Sequence, residues 1–159
     1  MNILFVCTGN ACRSILAEAT FNALAPPGMH AMSAGTHPAG YVHPRTIALL
    51  QRAGISTDGY HSKSWHDLPA VPDIAITVCD DAAGETCPAL LSLAVRGHWG
   101  VADPGRTTGT PAEIEASFEH AYCTLRARIE ALLALPLTEL RQSPKQLAKQ
   151  LQRIGRISP

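Results

Sequence analysis

The sequence predicts an α/β fold: a four-stranded parallel sheet flanked by helices on both faces, with an extra C-terminal helix. Three observations predict it. Strand and helix patterns alternate along the chain, which implies a mostly parallel sheet covered by its crossover helices. The two clearest strand segments, residues 2–7 and 74–78, are apolar runs of the kind buried inside such sheets. The length, 159 residues, suits one domain. That domain spans 1–159, with a core at 1–135 and a helical extension at 136–159.

Asn2 to Cys7 reads as the first strand. Ile15, Leu16, Ala19, Ala23 and Leu24 then recur at helical spacing within 14–25, until Pro26-Pro27-Gly28 breaks the pattern. His30 to Ala34 reads as the second strand. Pro44 suits the first position of a second helix, with Ile47, Leu49 and Leu50 inside and Gly54 ending it. Ile74 to Val78 is the third strand, and a fourth lies within Ala94 to Val101. Thr110-Pro111-Ala112-Glu113 reads as a capping box that opens a long helix. Its apolar stripe runs through Ile114, Phe118, Ala121, Tyr122, Leu125, Ile129 and Leu132, and Cys123 is expected to pack in the same region. A last helix starts at Ser143-Pro144, buries Leu147, Leu151 and Ile154, and ends at Gly155. Arg141, Lys145, Lys149, Arg153 and Arg156 are expected to form a solvated basic stripe on it.

Composition excludes several classes. Thirteen basic and thirteen acidic residues balance, so there is no electrostatic footprint for nucleic acid. No apolar run approaches the roughly 20 residues of a membrane span. No basic segment followed by an apolar one marks a signal peptide, so a cytoplasmic protein is expected. Five cysteines, at 7, 12, 79, 87 and 123, are an odd number without zinc-type spacing. In a reducing compartment they point to nucleophilic or redox chemistry without a metal or other cofactor.

The stretch Val6-Cys7-Thr8-Gly9-Asn10-Ala11-Cys12-Arg13-Ser14 carries that chemistry. It joins a strand to a helix, and Gly9 and Asn10 tolerate the positive φ of a sharp turn. A loop curled this way turns successive N–H groups inward and binds a tetrahedral oxyanion. The helix N-terminus adds partial positive charge. Thr8, Gly9, Asn10, Ala11, Cys12, Arg13 and Ser14 are therefore the candidate oxyanion-binding residues. Arg13 supplies a planar fork for two anion oxygens. The same field favours a thiolate at Cys7, and Ser14 is placed to hydrogen-bond it. Cys12 is read as a packing residue whose side chain faces away from the anion.

The attack on a bound oxyanion also needs an acid for the leaving oxygen, and Asp103, held extended by Pro104, suits that role. Cys79 ends the strongest strand and Cys87 follows after seven residues. If Cys79 lies near Cys7, the two can form a disulfide, which Cys87 can pass outward by exchange. Ala82-Ala83-Gly84 would let that segment refold.

These residues resemble a known family. Cys7 to Ser14 and Ser33-Ala34-Gly35-Thr36 are similar to the low-molecular-weight protein tyrosine phosphatase superfamily. Cys79, Cys87-Pro88 and Gly97-His98-Trp99-Gly100-Val101-Ala102-Asp103-Pro104 resemble its bacterial arsenate reductases. The resemblance implies arsenate as substrate, with phosphate or sulfate as analogues, and a relay Cys7–Cys79–Cys87. It implies thioredoxin, or glutathione with glutaredoxin, as reductant. Some members hold potassium near the loop. Asn10, Glu18 and Ser33 match that site, but Ser64 stands where an aspartate is expected. The alternative is a phosphatase working through a Cys7 phosphocysteine. Gly105-Arg106-Thr107-Thr108 replace the tyrosines that follow Asp-Pro in that branch, which disfavours phosphotyrosine.

Overall fold

Strands β1 (Asn2–Cys7), β2 (His30–Gly35), β3 (Ile74–Thr77) and β4 (Val95–His98) form one parallel sheet in the order β2-β1-β3-β4. The computed structural model describes residues 1–159, the side chain of Leu90 apart. Register sets Cys7 opposite Gly35, Val6 opposite Thr77, and Thr77 opposite His98, so all carboxyl ends lie level. The chain winds outward in both directions from β1. The crevice at such a switch point is where α/β sheets bind ligands.

Helices α1 (Arg13–Leu24), α4 (Pro111–Leu133) and α6 (Pro144–Ile154) pack on one face, and α2 (Pro44–Arg52) packs outside α1 and α4. Phe5, Phe21 and Trp99 meet on that face, with ring centroids 6.2 and 6.0 Å from Phe5. Each is fully buried, and burial of such a side chain stabilises by about 1.5–3 kcal/mol. The short α3 (Asp80–Ala83) rests on the other face, against β1 and β3. A further turn of helix, α5 (Leu137–Leu140), connects α4 to α6.

The four strands appear where the apolar runs place them, with β4 shorter than expected at Val95–His98. Beyond His98 the chain still bonds to the sheet through Trp99 N–H to Thr77 O and Val101 N–H to Val78 O. Gly54 takes a φ of +75° and Ile55 N–H bonds back to Leu50 O, ending α2 as expected. Thr110 Oγ1 accepts the Glu113 N–H at 3.2 Å. The returning half of the capping box is missing, because the Glu113 carboxylate accepts from the Thr110 hydroxyl instead.

Four expectations need correction. In α1 the residues from Ser14 to Phe21 are all buried, while Ala23 and Leu24 are exposed. The helix lies between the sheet and α4, so it is covered on more than one side until its last turn projects past them. Cys123 is exposed: its neighbours Ala121, Tyr122, Thr124 and Leu125 face inward and leave it on the outer side. Arg141 is not on the last helix, since it precedes Pro144 and pairs with Asp73 at 3.2 Å. Arg156 follows the helix end. Among the described residues no helix is long and apolar enough to cross a membrane.

Candidate active site

The loop between β1 and α1 is shaped from outside. Thr36 N–H bonds to Cys7 O, His37 N–H to Thr8 O, Ala39 N–H to Gly9 O, and His43 N–H to Ala11 O, at 2.8–3.0 Å. The Ser62 hydroxyl adds a bond to Gly9 O at 3.0 Å. A planar trans peptide points its C=O and the following N–H in opposite directions. Tying these carbonyls outward therefore turns the N–H groups of Thr8, Gly9, Asn10 and Cys12 inward, which is an anion cradle. The Asn10 N–H reaches Cys7 Sγ at 3.2 Å.

Only one residue of the loop uses the left-handed region: Asn10, at φ +49°. Gly9 does not need it. The glycine that the loop does require is Gly35, where a Cβ would stand 2.5 Å from Thr8 O.

Cys7 is 3% exposed, and its Sγ lies 2.9 Å from Ser14 Oγ, as the sequence predicts. A second layer holds Ser14. The Asn10 carboxamide donates to Ser14 Oγ at 2.8 Å and to Ser33 Oγ at 2.9 Å, and its oxygen accepts Lys63 N–H at 2.9 Å. Ser33 donates to Glu18 at 2.5 Å, and Lys63 Nζ stands 3.9 Å from the same carboxylate. Burial pushes the Glu18 carboxyl up, opposed by the Ser33 bond and Lys63. Burial pushes the Lys63 ammonium down, opposed by Glu18. The Asn10 oxygen is thus taken by the Lys63 N–H, Ser33 bridges Asn10 to Glu18, and the Lys63 ammonium already faces Glu18. That donor set does not fit a potassium ion.

Arg13 enters the crevice from the first turn of α1. It donates to Val101 O at 2.9 Å and faces Asp103 at 3.4 Å. Asp103 Oδ1 accepts Gly105 N–H at 2.9 Å, which orients the carboxylate at the start of a single 3-10 turn, Pro104–Arg106. Arg13, Cys79, Asp103 and Arg106 line one cleft of about 550 Å³.

Cys79 is 4% exposed and precedes α3, where its Sγ accepts Ala82 N–H at 3.4 Å. It lies 3.4 Å from Thr8 Oγ1, one residue from the nucleophile candidate. Cys87 is half-buried beyond α3. All five cysteines are free thiols. Cys12 is buried, and burial pushes its thiol up to about 11, so it stays protonated; its Sγ packs against Thr46 and the turn at Gly105. Arg13, Cys79 and Asp103 thus share one cleft beside the Cys7 loop, whereas Cys87, four residues beyond α3, lines a separate pocket with Trp65, Ala83 and Leu91. The sequence reading missed Lys63, the Thr8–Cys79 contact, and a bridge in which His98 holds Asp80 and Thr77, each at 2.7 Å. None of these carried a sequence signal, because each depends on which loops meet.

The chain is similar to known proteins over most of its length. Residues 2–153 match the family profile described as low molecular weight phosphotyrosine protein phosphatase. An arsenate reductase of Shouchella clausii is 33% identical over 129 residues, covering 80% of this chain and 91% of its own. One of Bacillus subtilis is 34% identical over the same shares. A solved arsenate reductase in the phosphate-binding state superposes with a TM-score of 0.70 at 26% identity, covering 84% of this chain and 96% of its own. The chain belongs to the low-molecular-weight phosphotyrosine protein phosphatase family, alongside the arsenate reductases built on that fold.

Proposed function

We propose that this protein reduces arsenate to arsenite in arsenic detoxification, through a relay of Cys7, Cys79 and Cys87. The oxyanion sits in the cradle of residues 8–14, with two oxygens on Arg13. The Cys7 thiolate attacks arsenic, Asp103 protonates the departing oxygen, and water leaves. Cys79 then attacks Cys7 Sγ. The electron pair of the S–As bond passes to arsenic, which leaves as arsenite, and a Cys7–Cys79 disulfide remains. Cys87 attacks Cys79, frees the Cys7 thiolate, and leaves a Cys79–Cys87 disulfide for an external thiol. Two thiols supply the two electrons, so the chemistry needs no further cofactor.

The observation that carries this reading is a second thiol against Thr8, the residue after Cys7. Cys79 sits within hydrogen-bond reach of Thr8, next to Cys7, in the same cleft as Arg13 and Asp103. Phosphomonoester hydrolysis would need Cys7, Arg13 and Asp103 but neither Cys79 nor Cys87, and it is compatible as a side activity. We place the reaction in the cytoplasm, with thioredoxin as the favoured reductant and glutathione with glutaredoxin as the alternative. Residues 1–159 act as one domain in which 1–135 carries the chemistry.

The test is arsenate turnover with each reductant beside a phosphatase assay on the same preparation. Arsenate turnover that dies in Cys79→Ser and Cys87→Ser supports the relay. Wild-type turnover in both variants, or phosphatase activity alone, overturns it.

A further inference from the structure

Helix α4 carries a charge where its apolar stripe should carry none. Arg128 lies on the buried face with Ala121, Leu125 and Leu132, and is 6% exposed. Burying an ionised group is costly unless it is paired or hydrogen-bonded. Among the described residues no carboxylate lies within ion-pair reach of it, and burial alone pushes its guanidinium down. Its bonds run to two backbone carbonyls, Gly100 O at 3.2 Å and Ile157 O at 3.1 Å. One carbonyl lies three residues before Asp103. The other lies just past the end of α6.

The same stretch of backbone is gripped from the C-terminal side. The buried Trp99 donates through Nε1 to Leu151 O at 3.0 Å. Gly155 sits so close that a Cβ there would stand 2.6 Å from His98 O and 3.0 Å from Trp99 Cδ1. A Cβ on Gly97 would meet Leu151 Cβ at 3.0 Å. Residues 97–100 are thus seated against 151–157 and tied to α4 by Arg128. The Asp103 carboxylate is held by the Gly105 N–H and faces the guanidiniums of Arg13 and Arg106. Its place relative to the oxyanion therefore depends on that seat, together with the bonds of Val101 to Val78 O and to Arg13.

We propose that Arg128, with the C-terminal segment 151–157, is a positioning device for the general acid. It fixes the backbone from which Asp103 reaches into the cleft. The proposal rests on the reading that Asp103 protonates the departing oxygen. It gives the C-terminal extension a catalytic purpose beyond covering the edge strand. A misplacement of about 1 Å in a catalytic group can cost on the order of 100-fold in rate, so a seat of this kind is worth a buried charge.

The experiment is a double-mutant cycle in steady-state arsenate reduction with thioredoxin and its reductase. Arg128→Gln is expected to lower kcat about tenfold, with KM for arsenate changed by less than about twofold and an unaltered circular dichroism spectrum. In an Asp103→Asn background the same change should cost less than about twofold, since the acid it serves is gone. Gly155→Ala, which keeps the charge and disturbs the seat, should behave likewise, and it carries the test if Arg128→Gln fails to fold. A folded Arg128→Gln protein with normal kcat overturns the proposal. So does an equal loss with and without Asp103. Wild-type turnover in Asp103→Asn alone would instead overturn the acid reading. If the wild type hydrolyses aryl phosphates but does not reduce arsenate, the same cycle is run on that reaction.

Discussion

Replacing Asn10 by alanine should both destabilise the protein and slow the first chemical step. Its fully buried carboxamide makes three hydrogen bonds, to Ser14, Ser33 and the Lys63 N–H. Each is worth about 1 kcal/mol net. Its backbone lies at φ +49°, which costs an alanine roughly 1 kcal/mol more than a glycine. Loss of the three bonds alone sums to about 3 kcal/mol relative to asparagine, a fall of roughly 10 °C in Tm for a chain of this size. Asn10→Gly loses the same bonds without the backbone penalty, so it should be about 1 kcal/mol more stable than Asn10→Ala. Urea unfolding under reducing conditions measures both, and a shifted midpoint at constant m isolates the stability change. The Ser14 hydroxyl loses its anchor at the same time, and with it the orientation of its bond to Cys7, so kcat should fall while the arsenate KM moves little. A loss below about 1 kcal/mol in Asn10→Ala, or identical midpoints for the glycine and alanine variants, would refute the reasoning.

Cys79→Ser and Cys87→Ser should each abolish multiple turnover of arsenate yet retain any phosphatase activity, measured side by side. The raised Glu18 carboxyl predicts a pH effect on folding. A carboxyl raised in the folded state binds its proton more tightly there than in the unfolded chain, so the stability it contributes is fully present below the ordinary carboxylate range and is lost as pH rises through that range to the folded value. Glu18→Gln should flatten that decline in urea midpoints taken across the acidic range; an unchanged slope would count against the assignment. Cys12, with its thiol pushed up to about 11, should resist iodoacetamide at neutral pH in the folded protein while the exposed Cys123 reacts. Peptide mapping shows which sulfur carries the label, and early labelling of Cys12 would contradict its packing role.

Much of the site was legible because the chemistry is local. Cys7 to Ser14 is one continuous stretch, and the strand before it and the helix after it determine how the loop must curl. Asp103-Pro104 and Cys79 follow strands whose carboxyl ends lie level in a parallel sheet, which brings them to one cleft. What escaped was tertiary. Lys63 lies in a loop without periodicity, and its place against Glu18 depends on how residues 55–73 cross the sheet. Cys123 was misjudged because a stripe covering so many positions of α4 hides the one that faces out. Arg128 was the reverse case: its spacing from Ala121, Leu125 and Leu132 put it on the stripe, but an arginine there looks like solvent-facing charge until its carbonyl partners are known. Gly9 looked necessary for the turn, yet the carbonyls tied down by residues 36–43 and Ser62 shape the loop, and only Asn10 takes the unusual backbone.

The most direct measurement of the relay is the disulfide left after one exposure to arsenate in Cys87→Ser, where the last exchange is blocked. Digestion without reductant, followed by mass mapping, should find Cys7 joined to Cys79 and one arsenite released per protein. A bond between Cys7 and Cys12, a bond between two protein molecules, or five unpaired thiols less the substituted one would contradict it.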